Sequence, residues 1–534
     1  MDMCGFNTVS QQIRAVVDRQ ATRSQDSCAP SELEAMDKGS LTYRTLQQIH
    51  DVLRAKANQY ATDVSQDRNI LHSLDANLTD LLSAGAEVSV HTPAGAILRE
   101  VNAVRYRYFM KLHLRGLCRL YGVDCFDDDS TGGEDGGDAS VSCASASNVT
   151  VAKTVQVTEE DDVEELDSGE KINMFDEWSR NDRTDDGVLQ RRLSQFNKWF
   201  NSLVRPPAVN HLKADLIPGF RVGTTATKDL NKEELYLAVP NEAIIDSHKA
   251  DRDGRFGKLL FDLERRFRRR DDFHELLLYL VYQCFVVGSE SKYWPYLRLL
   301  PSPTELDRPL MWSKEQVEAR LGPSFIKESI FRYKDNVAAT YRGVSGVDVI
   351  SPYLRPEYFT EEVYTWATSI LDSRSIWWSG VRHLVPMLDF VNCLETVNGA
   401  DVIRVHSTKF DRVPNAGEEV FSGDPRHALT YAAWPFKSGE QVVENYGQPS
   451  HTYFMHHGFF VESSVYDCVH FVLSISLEEK ADIDWMSAQN IVQKINLRRR
   501  KEDGDKVPTM AFCLEEKMKW ADIPSHVWLY LTLK

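Results

Sequence analysis

Two apolar runs that each break off into a polar turn constrain this chain more than any other feature. The first is HLVPMLDFVNC (383–393), which ends on Asn392-Cys393. The second is QVVENYG (441–447), which passes through Glu444 and Asn445 to Tyr446 and stops at Gly447. Each reads as a strand that ends in a turn. The segment between them, 394–440, is too long for a hairpin loop. If the two ends meet, tertiary folding brings them together, and an amide, a phenol and bare backbone then converge on one point.

At 534 residues the chain exceeds one hydrophobic core, so several domains are expected. Its formal charge of −17 excludes a broad nucleic-acid-binding surface, which needs clustered Lys and Arg. Much of that imbalance sits between Asp124 and Glu170, where fifteen acidic residues face a single Lys. The nine cysteines are scattered with no CxxC, which disfavours both a structural zinc site and a disulfide framework and suits a reducing compartment. No apolar run reaches 18 residues and the N-terminus lacks signal-peptide character, so a soluble intracellular protein is expected.

Residues 1–33 are polar and read as disordered. Leu46, Ile49 and Leu53, and later Ile97, Val101, Val104 and Tyr108, recur at helical spacing, so 34–123 reads as a helical unit with a turn at Pro93-Ala-Gly95. Residues 124–190 read as an acidic, disordered linker. Order resumes with a short helix at Leu193–Trp199 and two strands, Thr224–Thr227 and Leu235–Val239, joined by a turn at Asp229. Residues 251–375 read as helices, among them the apolar run LLLYLVYQCFVV (276–287), which is buried, and the Arg-rich run 265–273, which is a solvated face. The tail carries a strand at 466–477 and a helix at Met486–Leu497.

Five ordered blocks carry a family likeness: GTTATKDLNKEELYLAVP, SKYWPYLRLLP, WATSILDSRS, LVPMLDFVNC, and ENYGQPSH with HHGFF and YDCV. Their order resembles the SET-domain protein methyltransferases of the Rubisco large-subunit methyltransferase-like class, which includes the actin-histidine methyltransferase. The resemblance implies an α+β SET fold, small β-sheets around a pseudoknot. The SET core would occupy 195–250 and 376–464, interrupted by an inserted helical subdomain at 251–375. A shortened, mixed C-terminal domain at 465–534 would bind substrate, and the helical N-terminal extension would stand separate.

The same resemblance implies S-adenosylmethionine (AdoMet) as cofactor and a protein substrate, with no metal. It makes Tyr446 the catalytic phenol and assigns Gly223, Thr224, Asn392, Cys393 and Tyr446 to the cofactor. His457 and Phe459 fall to the substrate. Two positions depart from the family pattern. Cys393 replaces the His of an Asn-His pair, and Arg221 replaces the first glycine of Gly-x-Gly. His457 stands where many relatives have Tyr. The expected reaction is N-methylation of a lysine on a non-histone protein. A histidine acceptor, or a SET domain of weak activity that serves as a protein-binding module, are the alternatives. A monomer in the cytoplasm, with the nucleus as a second compartment, is expected, without nucleic-acid or membrane partners.

Overall fold

The computed structural model describes residues 41–83 and 93–126, then 171–474, both with short breaks, and 509–514. The expected tail helix at Met486–Leu497, the N-terminal 33 residues and most of the acidic stretch lie outside the described residues. Helices and small sheets mix throughout, an α+β architecture. Among the described residues no helix is long and apolar enough to cross a membrane.

Strands β1 (Leu212–Ile217) and β2 (Arg221–Ala226) form an antiparallel hairpin. On the far side of β2 the chain at 439–442 is laid down by hydrogen bonds from Ala226 N to Glu440 O (2.9 Å) and from Val442 N to Thr224 O (2.8 Å). That segment runs directly into Val443–Glu444, which pairs in parallel with Asn392–Cys393. Parallel neighbours need a long crossover, and the residues between the two runs supply it. The two strand ends therefore meet, with Leu394 N bonded to Glu444 O at 3.0 Å. Strand β3 (Leu235–Pro240) pairs with Arg426–Tyr431 in a second small sheet.

The helical residues between 251 and 375 pack over these sheets. Asp271 caps the helix Asp272–Val281 by accepting from Phe273 N at 3.0 Å, and the chain continues into a π-helical turn, Tyr282–Val287. From Leu276 to Phe285 every residue is buried, so the run that is apolar on all sides is a core element. The Arg-rich run lies at the end of the helix Phe256–Phe267, whose arginines face solvent, and Arg268 in the left-handed conformation (φ 54°) terminates it.

Four details differ from the sequence reading. The acidic linker ends earlier than 190: residues 171–180 fold into a capped turn of helix, Met174–Trp178, with Met174 buried. The helix expected at Leu193–Trp199 runs from Asp186 to Leu203, because Asp185 caps it. Pro93 opens the helix Pro93–Leu120 rather than marking a turn, since a helix tolerates proline in its first turn, where the missing N–H bonds nothing. Finally, Cys118 and Cys125 are joined by a disulfide, a pairing that their scatter along the sequence does not reveal.

The N-terminal helices share their core with the main body. Leu53, Tyr106, Leu114 and Leu117 pack in one cluster with Trp312, Val317, Ile330 and Phe454.

Candidate active site

The hairpin and the paired strand ends touch at Gly223. A Cβ there would lie 2.6 Å from Asn392 Nδ2 and 2.7 Å from Ile217 Cγ1, so glycine is required by close approach. The Asn392 side chain donates to Val222 O at 3.2 Å and to Gln441 Oε1 at 3.4 Å. Cys393 is buried and outside any disulfide, and its backbone pairs with Glu444. Thr224 is fully buried and its hydroxyl has no hydrogen-bond partner among the described residues. Strand alternation turns its side chain to the face opposite Gly223. Of the predicted cofactor residues, Gly223, Asn392 and Cys393 converge, while Thr224 joins them through its backbone.

Tyr446 sits two residues beyond Glu444, the end of the parallel pair. Its hydroxyl donates to Val391 O at 2.6 Å, which ties the second strand end to the first. Burial, with Cys393 and Glu444 nearby, pushes the phenol well above its ordinary pKa, so it stays protonated. Its proton is committed to Val391, which leaves the oxygen lone pairs facing away from that bond.

A π-helical turn, Tyr453–His457, forms the neighbouring wall. Gly458 ends it at φ 86°, and a Cβ there would strike Asp307 O at 2.4 Å. Ring centroids lie 5.6 Å apart for Tyr446 and His457, 5.1 Å for Tyr453 and Phe459, and 5.6 Å for His457 and Phe459. His457 and Phe459 are thus brought to Tyr446. Burial, followed by the nearby Arg308 and His456 charges, lowers the His457 pKa to about 3, so its ring is neutral. His456 Nδ1 instead faces Asp372 Oδ2 at 3.5 Å, which Arg308 (2.9 Å) and the Tyr333 hydroxyl also reach.

Charged residues that the motif reading missed flank the other side. Asp389, with a fully buried side chain, accepts from Arg374 Nη1 at 3.2 Å and from the Tyr296 hydroxyl at 2.8 Å. Burial raises the Asp389 pKa against the pull of Arg374. Glu305 accepts from Arg221 Nε at 2.9 Å and from Arg183 Nε at 2.8 Å. Burial alone would raise its pKa, but Arg221 and Arg183 hold it down to about 2. Arg221 Nη2 and Asp389 Oδ1 are buried atoms without a hydrogen-bond partner among the described residues. The available signal was Asp389 itself, a charge inside the apolar run LVPMLDFV.

No family model matches the chain. Actin-histidine N-methyltransferase of Danio rerio is 26% identical over 265 residues, which cover 48% of this chain and 41% of that protein. The Xenopus tropicalis protein of the same name is 25% identical over 266 residues, 48% of this chain and 42% of its own. Over that length the chain is similar to actin-histidine N-methyltransferases. The chain spans about two fifths of the length of these relatives. Among solved structures, it is similar to the SET domain of LSMT bound to lysine and AdoHcy (TM-score 0.48, 18% identity, 64% of this chain, 76% of that one). Rubisco LSMT bound to AdoMet matches with a TM-score of 0.45 and 17% identity, covering 61% and 67%. The sequence relatives agree with the SET-type resemblance of the five blocks.

Proposed function

We propose that this chain is an AdoMet-dependent protein methyltransferase whose acceptor is a histidine side chain. The observation that carries the reading is the likeness to actin-histidine N-methyltransferases, joined to the convergence of Gly223, Asn392 and Tyr446. The lysine acceptor, expected as the commoner outcome in the class the chain resembles, gives way to histidine, because the relatives bear the histidine name.

The residues fit the cofactor. An amino-acid tail carries one cation and one anion, and the charged side holds a buried donor (Arg221 Nη2) and a buried acceptor (Asp389 Oδ1) that lack partners among the described residues. AdoMet, when bound, supplies an electrophilic methyl group on a sulfonium. The chain's own task is to place an acceptor nitrogen in line with it, and such positioning contributes several kcal/mol of barrier lowering, about 7 or more at best. Tyr446, pinned by Val391 O and unable to ionise, presents fixed lone pairs for that purpose. The rings of Tyr446, Tyr453, His457 and Phe459 offer stacking surface to a flat imidazole. A histidine acceptor is largely neutral near pH 7, whereas a lysine of pKa ~10.4 must first lose a proton at a cost of about 4–5 kcal/mol.

The test is transfer of methyl label from AdoMet to purified actin and to a cell lysate, followed by hydrolysis and amino-acid analysis. Methylhistidine supports the reading. Methyllysine alone would return the acceptor to lysine, and no labelled protein would leave the binding-module alternative.

A further inference from the structure

Arg221 stands at the head of β2 with a φ of 63°. For a side chain with a Cβ the left-handed conformation costs about 1–2 kcal/mol, which glycine would avoid. The fork is held at two points, Nε on Glu305 and Nη1 on Leu299 O, both at 2.9 Å. Its third nitrogen, Nη2, is buried and bonds nothing among the described residues. A buried charged donor left unsatisfied costs more than the roughly 1–3 kcal/mol of a neutral one. A strained backbone and an idle buried donor on the same residue together call for a ligand.

The surrounding charge specifies its sign. Glu177 lies 2.6 Å from Arg192, 3.1 Å from Arg298 and 3.8 Å from Arg183, and Glu305 joins Arg183 to Arg221. Four guanidinium groups share two carboxylates, an excess of two positive charges. Arg374 and Asp389 form a balanced pair beside them. Over these ion pairs cations outnumber anions, which favours an anionic ligand. Arg192 also has guanidinium nitrogens without a hydrogen bond among the described residues, but Arg221 is the residue two positions before Gly223, where the hairpin meets Asn392.

We propose that Arg221 is a cofactor-binding residue whose Nη2 grips the carboxylate of AdoMet's amino-acid tail; this rests on the methyltransferase reading above. Arg221 then supplies the site with a contact that the family's glycine cannot make. The carboxylate completes the guanidinium's hydrogen bonding and offsets the excess charge, which a neutral ligand cannot do.

Calorimetric titration of the full chain with S-adenosylhomocysteine and with 5′-methylthioadenosine, which lacks the amino-acid tail, tests this. Wild type should bind both, the first more tightly. Arg221→Ala should weaken S-adenosylhomocysteine about 10- to 50-fold and shift methylthioadenosine less than twofold. Arg221→Lys should fall between, since it keeps charge but loses the fork. Arg221→Gly, which relieves the backbone, keeps the test open if the alanine variant folds poorly, and it should show the same ligand-selective loss. Equal weakening of both ligands, or none, overturns the role of Arg221. Wild type that binds neither overturns the AdoMet reading itself, and this inference with it.

Discussion

The two walls that meet at Tyr446 are built from opposite chemistry. Toward the hairpin lie buried charges, Arg221 and Glu305 and the Arg374–Asp389 pair, with two of their polar atoms unsatisfied among the described residues. Toward the π-helical turn lie Tyr453, His457 and Phe459, which are uncharged at neutral pH. A buried charged wall rejects any ligand that fails to complete it, because the unmet desolvation cost remains. An aromatic wall sorts by shape and tolerates variation in charge. Under the proposed function the first wall would fix the cofactor and the second the acceptor, so changes on the two sides should separate in experiment.

The largest effect is expected on the charged side. Asp389→Ala leaves Arg374 without its buried partner and should destabilise the fold by about 3 kcal/mol, read from chemical denaturation. A loss below about 1 kcal/mol would mean that the pair is as loosely coupled as a surface ion pair. Next comes the junction. Tyr446→Phe removes the hydroxyl held by Val391 and should lower kcat about 10²-fold while S-adenosylhomocysteine affinity moves less than threefold. Parallel losses of both would blur the division between the walls.

A smaller effect comes from Glu444, whose carboxyl is pushed up to about 7 by burial against the Tyr236 hydroxyl bond, from an ordinary 4.5. Between those values the folded chain holds a proton that the unfolded chain has released. Stability therefore falls as pH rises from about 4.5 to about 7 and is flat above. Glu444→Gln should remove that slope, worth about 2–3 kcal/mol between pH 5 and pH 8, in thermal melts across pH. The smallest is on the aromatic wall: His457→Phe should alter acceptor KM by a fewfold. It should leave the pH profile of kcat unchanged between 5 and 8, since His457 is already neutral there. A shifted profile would assign His457 a proton-transfer role instead.

Local pattern revealed the two strand ends and the buried run after Leu276, because each depends on periodicity, whereas Asn392 and Tyr446 were singled out by the motifs of the family resemblance. The meeting of the strand ends is tertiary, and only the family resemblance, with its pseudoknot, anticipated it; the parallel direction of the pairing was legible in neither pattern nor resemblance. Arg221 was visible as a departure, but a sequence shows residue type and not φ, so its strained backbone and idle nitrogen were hidden. Glu177 was hidden for another reason. It falls inside the stretch 124–190 that reads as linker, yet it is buried among Arg183 of the same stretch, Arg192 just beyond it and the distant Arg298. Long-range ion networks leave no local signature.

The aromatic stack between the N-terminal helix and the π-helical turn has a consequence for how this molecule can vary. Tyr106 stacks on Phe454 at 5.5 Å, and Phe109 lies on Phe460 at 5.6 Å. The turn that holds His457 and Phe459 is therefore clamped from behind by a helix more than three hundred positions earlier in the chain. Substitutions on that helix can tilt the acceptor wall without touching it, so preference for one acceptor over another can drift through residues that no inspection of the pocket lining would single out.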